Sequence, residues 1–312
     1  MPYFSCSGEN KQNIVIDETE INSDVSMSTV KMKYETKALN KVFLNPSAVV
    51  YNATINILGG HNQNGYSDRQ YKLSNGEFVA GDVLLQSLAY ASAVVYNNQI
   101  HLIGGYDGTN RLDTHYVYDG DKWQLETNMP ICISSASAVV YNNKIHLIGG
   151  VDKNGSTLKT HYVYDGYSWQ LIGEIPKRLA EASAVVYNGK IHLLGGYGDS
   201  NAVNTHYIYD GTSWTLNGRL LYNVASSSAV VLNNSIHLIG GYSGTTSSRT
   251  VLSTYCLYND ALGWIPKGNL PSSYCDGTAV VFNKKIYIIG GSDSSGELKT
   301  FYVATPLYSV NK

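Results

Sequence analysis

Along this 312-residue chain the apolar positions fall in short adjacent runs, each cut off by a small polar pair. Ser137-Ala-Val-Val-Tyr141 places β-branched residues side by side, the pattern of a strand covered on both faces. Asn142-Asn143 interrupts it, and asparagine tolerates the positive φ of a two-residue type I′ turn. A second run, Ile145-His-Leu-Ile148, stops at Gly149-Gly150, where no Cβ obstructs a sharp bend. A polar stretch follows, then Thr160-His-Tyr-Val-Tyr164, a tight Asp165-Gly166 and a segment opened by Trp169. The pattern predicts four short antiparallel strands joined by short connections.

The same pattern recurs six times, at 47–60, 92–105, 137–150, 183–196, 228–241 and 278–291. The second glycines (Gly60, Gly105, Gly150, Gly196, Gly241, Gly291) are separated by 45, 45, 46, 45 and 50 residues. Self-similarity at this period marks an array of one supersecondary unit. Trp123, Trp169, Trp214 and Trp264 each stand 14 residues before the next Ser/Thr-Ala-Val-Val, and Phe78 takes that place in the first copy. A four-stranded unit of this kind cannot cover both its faces alone, whereas radial packing against neighbours does. The expected fold is all-β: a six-bladed β-propeller with four antiparallel strands per blade.

Four hydrophobic residues before Gly-Gly, then a spaced Tyr and Trp, resemble the kelch repeat. The residues are Gly104-Gly105, Tyr118, Trp123; Gly149-Gly150, Tyr164, Trp169; Gly195-Gly196, Tyr209, Trp214; and Gly240-Gly241, Tyr258, Trp264. The resemblance covers about residues 31–308. Leu73 and Phe78 depart from it in the first copy and Ala304 in the last. The last copy also runs through Lys299-Thr-Phe-Tyr-Val-Ala304 with no Trp-opened strand after it. Counting back 14 residues from Ser47 reaches Lys33, inside Val30–Lys37. An N-terminal strand is therefore expected to complete the sixth blade and close the ring. The implied organisation is an arm at 1–29, docking segment or disordered tail, and a propeller at 30–312 with repeats starting near 47, 92, 137, 183, 228 and 278.

Composition then removes function classes. Net charge is −2, and no Lys/Arg cluster exceeds two residues, so nucleic acid and anionic membrane are not expected partners. The first ten residues lack a basic stretch and an apolar core, and no run approaches the roughly 18 apolar residues of a spanning helix. Synthesis in a cytoplasm without a signal peptide is the expectation. Cys6, Cys132, Cys256 and Cys275 share no repeat position, so they read as reduced thiols, with a Cys256–Cys275 bridge left open. His101, His146, His192 and His237 occupy one repeat slot, and His115, His161 and His206 another. Equivalent slots are spread around a ring, so these histidines cannot converge on one ion, and no metal or cofactor is expected. Only His61 leaves the pattern.

Some kelch-like propellers are enzymes. The galactose oxidase type needs a copper site that no residue set here matches. The sialic-acid mutarotase type needs only acid/base groups on the loop-lined face, a role open to Arg178 with Glu181, or to Asp276. No catalytic residue is assigned. The repeats differ most in the loops joining strand two to strand three, and variation over an invariant frame is how a scaffold presents a binding surface. The candidate ligand-facing residues are Tyr66, Tyr90, Tyr106, Arg111, Arg178, Glu181, Tyr197, Tyr242, Arg249 and Asp276. Three of them stand two residues before a first strand, where the six copies carry Asn45, Tyr90, Ser135, Glu181, Ser226 and Asp276, near the axis.

The expected function is a non-catalytic interaction module that binds protein or glycan on this face. The Asn/Lys/Ile/Tyr-rich composition resembles proteins of low-GC bacteria and their phages. It suggests display in a larger assembly, such as a virion, docked through residues 1–29. The alternatives are a free cytosolic ligand-binding propeller and a mutarotase-like sugar enzyme.

Overall fold

The computed structural model describes residues 31–307, and every regular element in that span is a β-strand. In the third blade Ser137–Tyr141, Lys144–Ile148, Thr160–Tyr164 and Trp169–Glu174 pair antiparallel in chain order. Blades starting at Ser47, Ser92, Ser183 and Ser228 repeat that order. First strands of neighbouring blades touch in a closed circle, 47–51 against 92–96 and onward until 275–282 meets 47–51 again. Six blades thus surround one axis.

The sixth blade is built from both ends of the described chain. Cys275–Phe282, Lys285–Asp293 and Thr300–Leu307 are completed by Lys31–Ala38, paired from Lys31 opposite Leu307 to Ala38 opposite Thr300. In other blades the slot tryptophan lies opposite the third-strand tyrosine, as Trp169 does to Tyr164. Here Tyr34 lies opposite Ala304, so Tyr34 holds that slot and not Lys33. The link from this strand to Ser47 is one residue shorter than the others, which shifts the register expected from spacing.

Repeated residues join blade to blade. Ser92 Oγ donates to the carbonyl of Ala136 at 2.7 Å, and Tyr96 Oη donates to that of Asn143 at 3.1 Å, both in the next blade. Gly104 (φ 61°) and Gly105 (φ 113°) let the chain pass against Ile133 of the next blade. The Gly105 N–H donates to the Ile133 carbonyl at 2.8 Å, and a Cβ on Gly104 would run into that same oxygen. The apolar core fills the gaps between sheets: Val94, Tyr96 and Ile103 of one blade pack with Ile145, Leu147, Tyr162 and Trp169 of the next. Many of the tyrosines are therefore inter-blade packing.

Among the described residues Cys132, Cys256 and Cys275 are free thiols, so Cys256 and Cys275 do not pair. No described helix is long and apolar enough to cross a membrane. The expected arm at 1–29 and Cys6 lie outside the described residues.

Candidate functional site

The six residues two places before the first strands form a collar around the axis. Asn45, Tyr90, Ser135, Glu181, Ser226 and Asp276 all adopt left-handed backbone, with φ between 48° and 59°. Five of the six donate their N–H to the carbonyl of the preceding member: Asn45 to Asp276 (2.6 Å), Tyr90 to Asn45 (3.0 Å), Ser135 to Tyr90 (2.8 Å), Glu181 to Ser135 (3.0 Å) and Ser226 to Glu181 (2.9 Å). Ser226 Oγ also donates to Asp276 Oδ1 at 2.8 Å. For tyrosine or glutamate this conformation costs about 1 kcal/mol, and glycine would relieve it. The chain keeps side chains there instead.

Backbone bridges bind the collar segments to the variable loops: Leu44 to His61, Ala89 to Tyr106, Ser134 to Val151, Ala180 to Tyr197 and Ala225 to Tyr242. Both loop sets therefore share one face. At its centre opens a recess of about 610 Å³, lined by Asn45, His61, Tyr90, Glu181, Tyr242 and Asp276 among others. Arg249 and the loop Ser292–Glu297 complete the wall.

Two networks meet in the recess. In the first, Tyr242 Oη donates to Glu181 Oε2 at 2.8 Å, and the Arg249 guanidinium lies over the Tyr242 ring, 5.5 Å from its centroid. Arg249 Nη1 donates to Asp276 Oδ2 at 2.7 Å, and Ser292 Oγ and Cys275 Sγ donate to the same oxygen at 3.4 and 3.3 Å. In the second, His61 stacks on Tyr90 (5.5 Å) and packs on Tyr66 (5.3 Å), which meets Tyr106 edge-on (5.7 Å). The Arg111 guanidinium sits 5.7 Å from the Tyr106 ring, so the aromatic track runs from the recess out across the loop face.

Burial sets the charge states. It raises the Glu181 carboxyl above its usual range, opposed by the Tyr242 hydrogen bond and reinforced by Asp276. It lowers His61, against the pull of Asp276 and Glu297, and it raises the Tyr90 and Tyr242 hydroxyls, so both stay neutral donors. Among the described residues no group of three His, Cys, Asp or Glu side chains is placed to hold a metal ion.

Of the expected residues, Tyr90, Glu181, Tyr242, Arg249 and Asp276 line the recess together. Tyr66, Tyr106 and Arg111 follow it outward, and Tyr197 packs beside Tyr242. Arg178 stands apart, exposed, with Nη1 donating to the Thr157 carbonyl at 2.8 Å. Sequence reasoning did not count His61, Asn45 or Ser292–Glu297 among the site residues. The signal for His61 was present, since it alone of the histidines breaks the repeat.

Residues 91–291 match the KLHDC2/KLHL20/DRC7 kelch-repeats domain. The solved structure titled "Structure of YjhT" superposes with a TM-score of 0.74 over 88% of this chain and 97% of that chain. The two share 17% sequence identity, so the likeness is one of fold. A search of curated proteins finds no match.

Proposed function

The chain belongs to the kelch-repeat family, and we propose that it is a non-catalytic interaction module whose ligand enters the axial recess on the loop face. One observation carries this reading. Six consecutive blades hold a non-glycine residue in left-handed backbone at the collar, and Asn45, Tyr90, Glu181 and Asp276 of these line a single cavity. Strain kept at equivalent points, with polar and aromatic groups aimed inward, is the arrangement of a preformed site.

The groups suit recognition more than turnover. Asp276 is held by Arg249, Ser226, Cys275 and Ser292, so it braces the wall rather than acting as a free base. Tyr90, Tyr242 and neutral His61 are fixed hydrogen-bonding partners. Tyrosine and arginine flanking a recess on a rigid frame provide contact area with little ordering cost.

Screening of the full-length protein against peptide and glycan arrays tests the reading, beside Tyr242→Phe, Arg249→Ala and a variant of the opposite turn, Asn142→Gly. Hits lost in the recess variants and kept in the turn variant support it; the reverse pattern refutes it. Glu181 is the residue best able to move a proton. NMR exchange between sugar anomers, accelerated by the protein but not by Glu181→Gln, would replace recognition with an enzymatic function. Light scattering of the full chain and of a chain starting at residue 30 separates attachment through the arm from a free-standing propeller.

A further inference from the structure

The recess wall sets four carboxylates, Glu181, Asp276, Asp293 and Glu297, against one guanidinium, Arg249. All four accept at least one hydrogen bond. Asp276 holds Arg249. Asp293 accepts Ser272 Oγ at 2.9 Å and the N–H groups of Ser295 and Gly296 at 2.7 and 3.1 Å. Glu297 accepts the Gln63 N–H at 3.2 Å. Glu181 accepts the Tyr242 hydroxyl on Oε2 and, like Glu297, has no hydrogen bond on its other oxygen and no ion pair among the described residues. Of these two it is the collar residue, held in left-handed backbone at the centre of the recess. A half-buried carboxylate with one free oxygen and no ion pair of its own is a ready acceptor for a cation.

The recess already contains one solution to that problem. Arg249 lies over the face of Tyr242 while its Nη1 reaches Asp276, so a cation is held between an aromatic ring and a carboxylate. Glu181 with Tyr242 Oη, and Tyr90 with His61, bring the same kinds of group to the same cavity. We propose that Glu181 receives a cationic side chain, a lysine or arginine presented by a partner protein; this rests on the recess being the ligand site.

Three further observations narrow the ligand. The carboxylates are too dispersed to surround a metal ion, which favours an extended organic cation. A volume of about 610 Å³ admits a long side chain with part of its backbone. The aromatic track from His61 through Tyr66 to Tyr106 and Arg111 leads away from the recess, where residues flanking an inserted side chain would lie. A carboxylate-bearing ligand would instead meet four carboxylates and a single guanidinium already paired with Asp276.

Fluorescence anisotropy of the full-length protein with four labelled peptides, identical except for a central Arg, Lys, Gln or Glu, tests the proposal. NMR of the tyrosine and histidine side chains locates the contact. Arg and Lys peptides should bind and shift His61 and Tyr242, whereas Gln and Glu peptides should not bind. Glu181→Gln should weaken the Arg peptide about 10- to 100-fold, the value of one charge-assisted hydrogen bond. Spermidine should compete weakly. Spermidine binding more tightly than either peptide would assign the recess to small amines and overturn the protein-partner assignment. Equal or tighter binding of the Gln or Glu peptide in the recess, or Arg binding indifferent to Glu181→Gln, would overturn the charge assignment yet leave the recess as the site. Binding that shifts only residues of the opposite turns would overturn both, and no binding by any peptide would overturn the proposal.

Discussion

The indole Nε1–H of Trp169, in the third blade, donates to Nδ1 of His115, in the second, over 3.3 Å. That bond sets the protonation of two rings. With Nδ1 accepting, the His115 proton sits on Nε2 and is donated to Nδ1 of His101 at 2.8 Å. Trp214 with His161 and His146, and Trp264 with His206 and His192, repeat the relay. In the first blade amides replace the imidazoles: Trp123 donates to Gln70, and Gln70 to Asn56. At the seam between the sixth and first blades the polar relay gives way to Phe78 edge-on to Phe301, 5.4 Å apart. His115, His161 and His206 are therefore inter-blade connectors.

These relays should make the propeller acid-labile. Burial lowers His101, His146 and His192 to about 4, and His115, His161 and His206 to about 3. In the unfolded chain they protonate near 6.5. Between those values the unfolded state binds more protons, so stability falls as pH drops below about 6.5 and levels off near 3–4. Each histidine should cost about 2 kcal/mol by pH 5. Urea midpoints at pH 7, 6 and 5 measure this. The double variant His101→Asn, His115→Gln, which imports the pair of the first blade, should flatten the slope. A midpoint that does not move with pH would contradict the assignment.

Packing and hydrogen bonding at Trp169 can be separated. Trp169→Phe retains an aromatic ring but leaves His115 Nδ1 without its donor, a loss of about 1–3 kcal/mol. Trp169→Ala also opens a cavity against Tyr164 and Ile145, for a loss of about 3–5 kcal/mol. Thermal or urea unfolding reads both. Equal losses would mean that the ring's packing contributes nothing beyond the hydrogen bond, and an unchanged midpoint for Trp169→Phe would mean that the bond contributes nothing.

A chain starting at residue 39 lacks the strand Lys31–Ala38 and exposes the edge of Thr300–Leu307. It should aggregate or melt earlier, and a synthetic peptide of residues 31–38 should restore the monomer. Light scattering with and without the peptide decides; a stable monomer without it would show that closure does not need this strand.

Glu181 should titrate above the ordinary carboxylate range because burial raises it. Asp276→Asn removes a like charge and should bring it down. Tyr242→Phe removes the hydrogen bond that favours the ionised form and should push it further up. Carboxyl-carbon NMR titrations of the three proteins give the order directly, and opposite shifts would refute the network.

Fold and closure were legible in the chain because each depends on local pattern. A repeated Ser-Ala-Val-Val-Tyr, an Asn-Asn or Asn-Gly turn and a Gly-Gly stop specify strands, hairpins and bends within a few residues of themselves. The missing strand after Ala304 and the spare one near Lys33 are a matter of counting, correct to within one residue. The face of the collar residues followed from their place before each first strand. Which side chains meet there did not. Tyr90, Glu181 and Asp276 are 91 and 95 residues apart and converge only because six blades close on one axis. Arg178, three residues from Glu181, turns outward because the Thr157 carbonyl takes its guanidinium, a contact that no spacing reveals. Ser292–Glu297 joins the wall because the sixth blade brings that loop beside His61, where Gln63 reaches Glu297. Local hydrogen bonding and sterics act along the chain and can be read there. The recess is a property of ring closure, and it exists only once every blade is in place.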